Sequence, residues 1–89
     1  VKTIICGIPF EITEVENCFG SEHRFGECDT MAATIKLNRH CSPEQKDATL
    51  VHEWVHGVGG CNGTSQDEDL ISVIAIELYR QGFRVKVEE

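Results

Sequence analysis

Lysine and arginine are scarce in this chain, eight against fifteen aspartates and glutamates in 89 residues, for a net charge of -7 with the histidines neutral. A phosphate-binding surface needs a clustered positive face, so nucleic acid is not expected as a partner. Long apolar runs are missing as well. Nothing approaches the roughly 20 apolar residues that span a bilayer, and no membrane partner is expected. The opening Val1-Lys2-Thr3-Ile4-Ile5-Cys6-Gly7 has too short an apolar core for an export signal, which points to a cytoplasmic protein. The five cysteines, Cys6, Cys18, Cys28, Cys41 and Cys61, are odd in number and form no C-x-x-C pair. That pattern speaks for reduced thiols and against a disulfide-stapled miniprotein. No repeat, linker or low-complexity stretch divides the chain, so residues 1–89 are expected to form a single domain.

What the chain does contain is Thr49-Leu50-Val51-His52-Glu53-Trp54-Val55-His56-Gly57. On a helix, positions i and i+4 sit one above the other, so His52 and His56 can aim ring nitrogens at one ion while Glu53 lies beside it. This is the H-E-x-x-H arrangement of zinc hydrolases, in which two neutral imidazoles bind Zn2+ and the glutamate takes a proton from water. Leu50, Val51, Trp54, Val55 and Val58 give the stretch a helical apolar periodicity, so the histidines belong to a partly buried face.

In chain order, Lys2 to Cys6 reads as a strand, and Ile8 to Glu16 as a second whose alternation shifts, which asks for a bulge or a change of pairing near Ile12 and Thr13. Asn17 to Arg24 reads as a loop. Phe25 to Asp29 and Thr34 to Asn38 read as an antiparallel pair turning near Met31-Ala32-Ala33. Ser42-Pro43-Glu44-Gln45 is a helix start, with Ser42 as cap, Pro43 at the first position and Gln45 closing a capping box. That helix is expected to stop within Gly57-Val58-Gly59-Gly60. A second opens with a capping pattern at Ser65-Gln66-Asp67-Glu68, turns Ile71, Ala75 and Leu78 inward, and runs to Gly82. Phe83 to Val87 adds a final strand or a tail. The class is therefore α+β: a short antiparallel sheet of three to four strands on two helices, the first carrying H-E-x-x-H.

A catalytic zinc site needs a third protein ligand and an open position. If the second helix packs back along the first, Glu68 shares the inward face with Ile71, Ala75 and Leu78 and becomes the leading candidate. The same residue would serve as the capping partner of Ser65, and Asp67, Asp69 and Cys61 stand in reserve. The spacing His52-Glu53-x-x-His56-x-x-Gly59-x-x-Asn62 follows the metzincin pattern up to its last ligand, where asparagine is a poor zinc donor, and the single methionine, Met31, lies upstream of the helix.

Thr34-Ile35-Lys36-Leu37-Asn38, then Thr49-Leu50-Val51-His52-Glu53-Trp54-Val55-His56, then Glu68, Leu70, Ile71, Ser72, Ile74, Ala75 and Leu78 together resemble the ImmA/IrrE family of metallo-endopeptidases and the small phage- and prophage-borne proteins similar to it. The resemblance covers about Phe25 to Tyr79. It implies a zincin-like metallopeptidase domain of minimal gluzincin type, with Glu68 on the family's acidic ligand position, Glu53 as general base, Zn2+ as cofactor, and a regulatory cut in one protein or peptide substrate. Tyr79, His23 and His40 are the side chains available to stabilise an oxyanion, and the loop from Cys18 to Cys28 is a candidate autoinhibitory cover. The competing expectation is a zincin-shaped binding module in which a structural zinc, closed by Cys61, staples a small core, or a phage accessory protein acting by contact alone.

Overall fold

A two-residue connection starts the fold: Cys6 and Gly7 both take positive φ, 53° and 79°, the twist that lets a tight hairpin join β1 (Lys2–Ile5) to β2 (Ile8–Val15). The computed structural model describes residues 1–16 and 25–89. The loop expected from Asn17 to Arg24, with Cys18 and His23, lies outside the described residues. The chain resumes in β3 (Gly26–Asp29) and β4 (Thr34–Asn38). Between them the Asp29 side chain accepts from the Met31 and Ala32 amides, each at 3.0 Å, and so shapes the turn.

The class is α+β, as expected, with two helices on a four-stranded sheet of order β1-β2-β4-β3. One pairing departs from the expected antiparallel sheet. β2 and β4 run parallel, with Glu11 opposite Thr34 and Val15 opposite Asn38. The chain leaves β2 for the far edge, lays down β3, and returns as β4 into the gap, so no helical crossover is needed. Neither register carries an inserted residue. The shift in alternation along β2 is a change of neighbour: its first half pairs with β1 up to Glu11, and its second half pairs with β4 from Glu11 onward.

Phe10, Ile5, Ile35 and Val51 are the largest fully buried side chains, and they fix α1 (Pro43–Cys61) to the sheet. Each contributes about 1.5–3 kcal/mol on burial. Ser42 caps α1 by accepting from the Gln45 amide at 3.1 Å, but the Gln45 side chain donates forward to Thr49 Oγ1 at 3.0 Å and closes no capping box. Nor does α1 stop at its glycines. It runs through Gly57, Gly59 and Gly60 to Cys61, and Gly63, at φ 69°, makes the turn instead. The reason is close approach. A β-carbon on Gly57 would fall 2.8 Å from Ile5 Cδ1, and one on Gly60 would fall 2.5 Å from Thr30 Cγ2, so these helical glycines let α1 lie tight against the sheet.

α2 (Glu68–Arg80) is capped by Asp67, whose side chain accepts from the Leu70 amide at 2.8 Å, not by Ser65 as expected. Ile71 and Ala75 are buried and Leu78 half-buried, the inward face anticipated from their spacing. Among the described helices and strands, α2 packs on α1 alone. After Gln81 and Gly82 the chain lays Phe83 against Trp54, ring centroids 5.0 Å apart, and meets β1 through one isolated bridge between Lys2 and Glu88. No helix among the described residues is long and apolar enough to cross a membrane.

Candidate metal centre

One turn apart on α1, the rings of His52 and His56 stand with centroids 4.9 Å apart and planes at 62°, both half-buried on the side facing α2. Because Asp67 takes the capping role, Glu68 is free at the first helical position to project across the interface. Its carboxylate accepts from both imidazoles, Oε1 from His52 Nε2 and Oε2 from His56 Nε2, each at 2.8 Å. These three side chains offer two nitrogens and one carboxylate oxygen within 4.8 Å of one another, a group that can hold a metal ion. Two imidazoles and a carboxylate on facing helices, beside a groove, are a donor set that a transition-metal ion such as zinc accepts.

Burial holds the His52 imidazole below the ordinary histidine range, and the neighbouring His56 pushes the same way, while the Glu68 carboxylate opposes both. A lowered His52 pKa favours the neutral ring that a metal requires. On its far side, His56 Nδ1 lies 2.9 Å from the Gln66 amide, so its ring is gripped from both edges.

Glu53 is buried, 6% exposed, and lines the same groove as His52 and Glu68. Gly26 makes this placement possible. A β-carbon there would fall 2.6 Å from Thr49 Cγ2 and 3.4 Å from Glu53 Cγ, so only glycine lets β3 run this close to the helix face that carries Glu53. The groove, about 410 Å³, extends from His52 and Glu68 between α1 and α2, with His56 behind them outside its lining. Its walls include Phe25, Ala48, Ala75 and Ile76, with Tyr79 and Arg80 at the later turns of α2. β3 is an edge of the sheet and contributes Gly26 to the groove wall, with Phe25 just ahead of it.

The remaining candidates fall elsewhere. Cys61 is a free thiol packed against the sheet core, outside the ligand group, and Cys6 Sγ accepts from Asn62 Nδ2 at 3.4 Å. Asp67 is occupied as a cap, and Asp69 is exposed and outside the ligand group. Tyr79 lines the groove, with the Arg84 guanidinium 3.8 Å over its ring. His40 is exposed and tied to Glu16 at 2.6 Å, outside the groove, and His23 is not among the described residues. Sequence reasoning missed the roles of Gly26 and Gln66, because no metal-site motif contains them and both act through contacts with residues distant in the chain. Comparison of the chain with protein-family models, with curated proteins and with solved structures found no match.

Proposed function

We propose that this chain is a zinc-dependent peptidase of the ImmA/IrrE-like gluzincin kind, cutting a peptide bond in a specific protein or peptide substrate. The observation that carries the reading is a three-member ligand group, two of whose members, His52 and Glu68, line one groove together with the buried carboxylate of Glu53. Two imidazoles and a single carboxylate suit zinc better than magnesium or calcium, which take oxygen donors. Zinc bound there supplies Lewis-acid polarisation and brings the pKa of a water to about 7.

The chain's own residues do the rest. Glu53 accepts the proton of the attacking water and returns it to the leaving amine, the general acid-base role of a carboxylate beside an open ligand position. Phe25, Ala48, Ala75 and Ile76 shed water from the groove and favour an apolar substrate side chain next to the scissile bond. The outer edge of β3, beside Phe25 and Gly26, offers backbone groups to an extended peptide, so substrate binds by strand addition. Tyr79 is the side chain in the groove suited to donate to the oxyanion. A structural zinc would require a fourth protein ligand, and the group has three members among the described residues, with Cys61 outside it and packed against the sheet core.

The test is Glu53→Gln, compared with wild type on a mixed peptide library read by mass spectrometry. The variant should keep its zinc and lose cleavage by roughly 100-fold or more. Cleavage that survives the change at the wild-type rate contradicts the assignment of Glu53 as base.

A further inference from the structure

Gln66 stands two residues ahead of Glu68, and its side chain reaches back over the end of α1. Room for it exists because position 59 is glycine. A β-carbon there would fall 2.6 Å from Gln66 Nε2 and 2.9 Å from Thr64 Oγ1. The loop is tied to the same spot, with the Thr64 amide and hydroxyl donating to the Gly59 carbonyl at 3.0 and 3.2 Å. Gly59 thus serves neither as a helix stop nor as a sharp exit. It is the clearance for one amide.

That amide meets a ring whose two edges are linked. A neutral imidazole carries one N–H and one lone pair, so what one nitrogen does dictates the other. When His56 Nε2 donates to Glu68, Nδ1 must accept, and Gln66 can supply the donor. With its nitrogen toward the ring, Gln66 donates to His56 Nδ1 at 2.9 Å and to the His56 carbonyl at 3.2 Å, and its oxygen accepts from the Gly60 amide at 3.0 Å. When Nε2 turns its lone pair to a metal, the proton moves to Nδ1, and the same position needs an acceptor. Turning the amide end by a half rotation puts Gln66 Oε1 at the same 2.9 Å from Nδ1, where it accepts the ring proton in exchange for its bonds to the His56 carbonyl and the Gly60 amide. A carboxylate could serve only the second state and an ammonium only the first. A glutamine serves both.

We propose that Gln66 is the positioning residue of the metal centre: it holds the His56 ring and matches both of its tautomers, and Gly59 makes the space it occupies. The inference rests on the reading that His52, His56 and Glu68 hold zinc. Partners of this kind typically alter metal affinity by about 10–100-fold.

The experiment titrates zinc into wild type, Gln66→Ala, Gln66→Glu and Gly59→Ala against a chromophoric chelator at constant pH. Histidine 15N spectra of the metal-free and zinc-loaded proteins are recorded alongside. Gln66→Ala and Gly59→Ala should weaken zinc by roughly 10–100-fold, with little change in the metal-free thermal midpoint for Gln66→Ala. Gln66→Glu should keep the affinity, since it retains the acceptor, and should carry the proton on Nδ1 even without metal. In wild type His56 should change from Nε2–H to Nδ1–H on loading. Wild-type uptake of zinc with unchanged affinity in Gln66→Ala, or one tautomer in both states, overturns this inference alone. A wild type that takes up no zinc overturns the metal reading and this inference with it.

Discussion

The two helices are held in very different ways. α1 lies against β1, β3 and β4, buries Thr49, Val51, Glu53 and Gly57, and is drawn in by glycines whose β-carbons would collide with Ile5 and Thr30. Among the described helices and strands α2 packs only on α1; it buries Ile71 and Ala75, and leaves Leu70, Val73, Ile74 and Ile76 between 42 and 67% exposed. The ligand group straddles this divide, with two imidazoles on the clamped helix and one carboxylate on the other. Half of the site is thus built by the core, while the other half depends on a small interface that the ligands themselves reinforce. A metal held by this group would therefore strengthen the docking of α2.

The largest way to break the comparison is to remove what clamps α1. Phe10→Ala should cost about 3–5 kcal/mol in urea unfolding and take both helices down together, since α1 is the one described helix or strand on which α2 packs. Loading zinc should sharpen it from the other side. At a free concentration 100 times its dissociation constant, the ion adds about 2.7 kcal/mol, and hydrogen exchange should show the gain in protection concentrated in α2. A smaller probe is Asp67→Ala, which removes the cap of α2 and should cost about 1 kcal/mol, read as faster exchange in the first turn of α2 with α1 unchanged. The smallest probe is chemical. Burial pushes the Cys28 thiol up to about 12, helped by the charges of Glu53 and Cys61, so it should resist iodoacetamide at pH 8 in the folded protein and react once urea frees β3 from α1. Ready labelling of folded Cys28 would mean that the α1 side is looser than described.

The sequence was legible wherever the information was local. The i, i+4 spacing of His52 and His56 put both rings on one face, and Ser42 with Pro43 marked the start of α1. Ile71, Ala75 and Leu78 gave the inward face of α2 and, through it, the direction of Glu68. It was illegible wherever a residue's role depended on a distant partner. Three helical glycines read as a stop signal because the side chains they accommodate, Ile5, Thr30 and Gln66, come from elsewhere in the chain. The parallel pairing of β2 with β4 hangs on where the returning strand finds a free edge, which no local pattern encodes. Ser65 and Asp67 are both good caps, and the sequence pattern does not say that Asp67 takes the role.

The central claim is that His52, His56 and Glu68 form one metal centre across the two helices. Its most direct test is the metal content, by elemental mass spectrometry, of untagged protein purified without added metal, beside Glu68→Ala and Cys61→Ala. Near-stoichiometric zinc in wild type and Cys61→Ala, with a large loss in Glu68→Ala, is the predicted result. Zinc that follows Cys61 instead, or none in wild type even after supplementation, would contradict it.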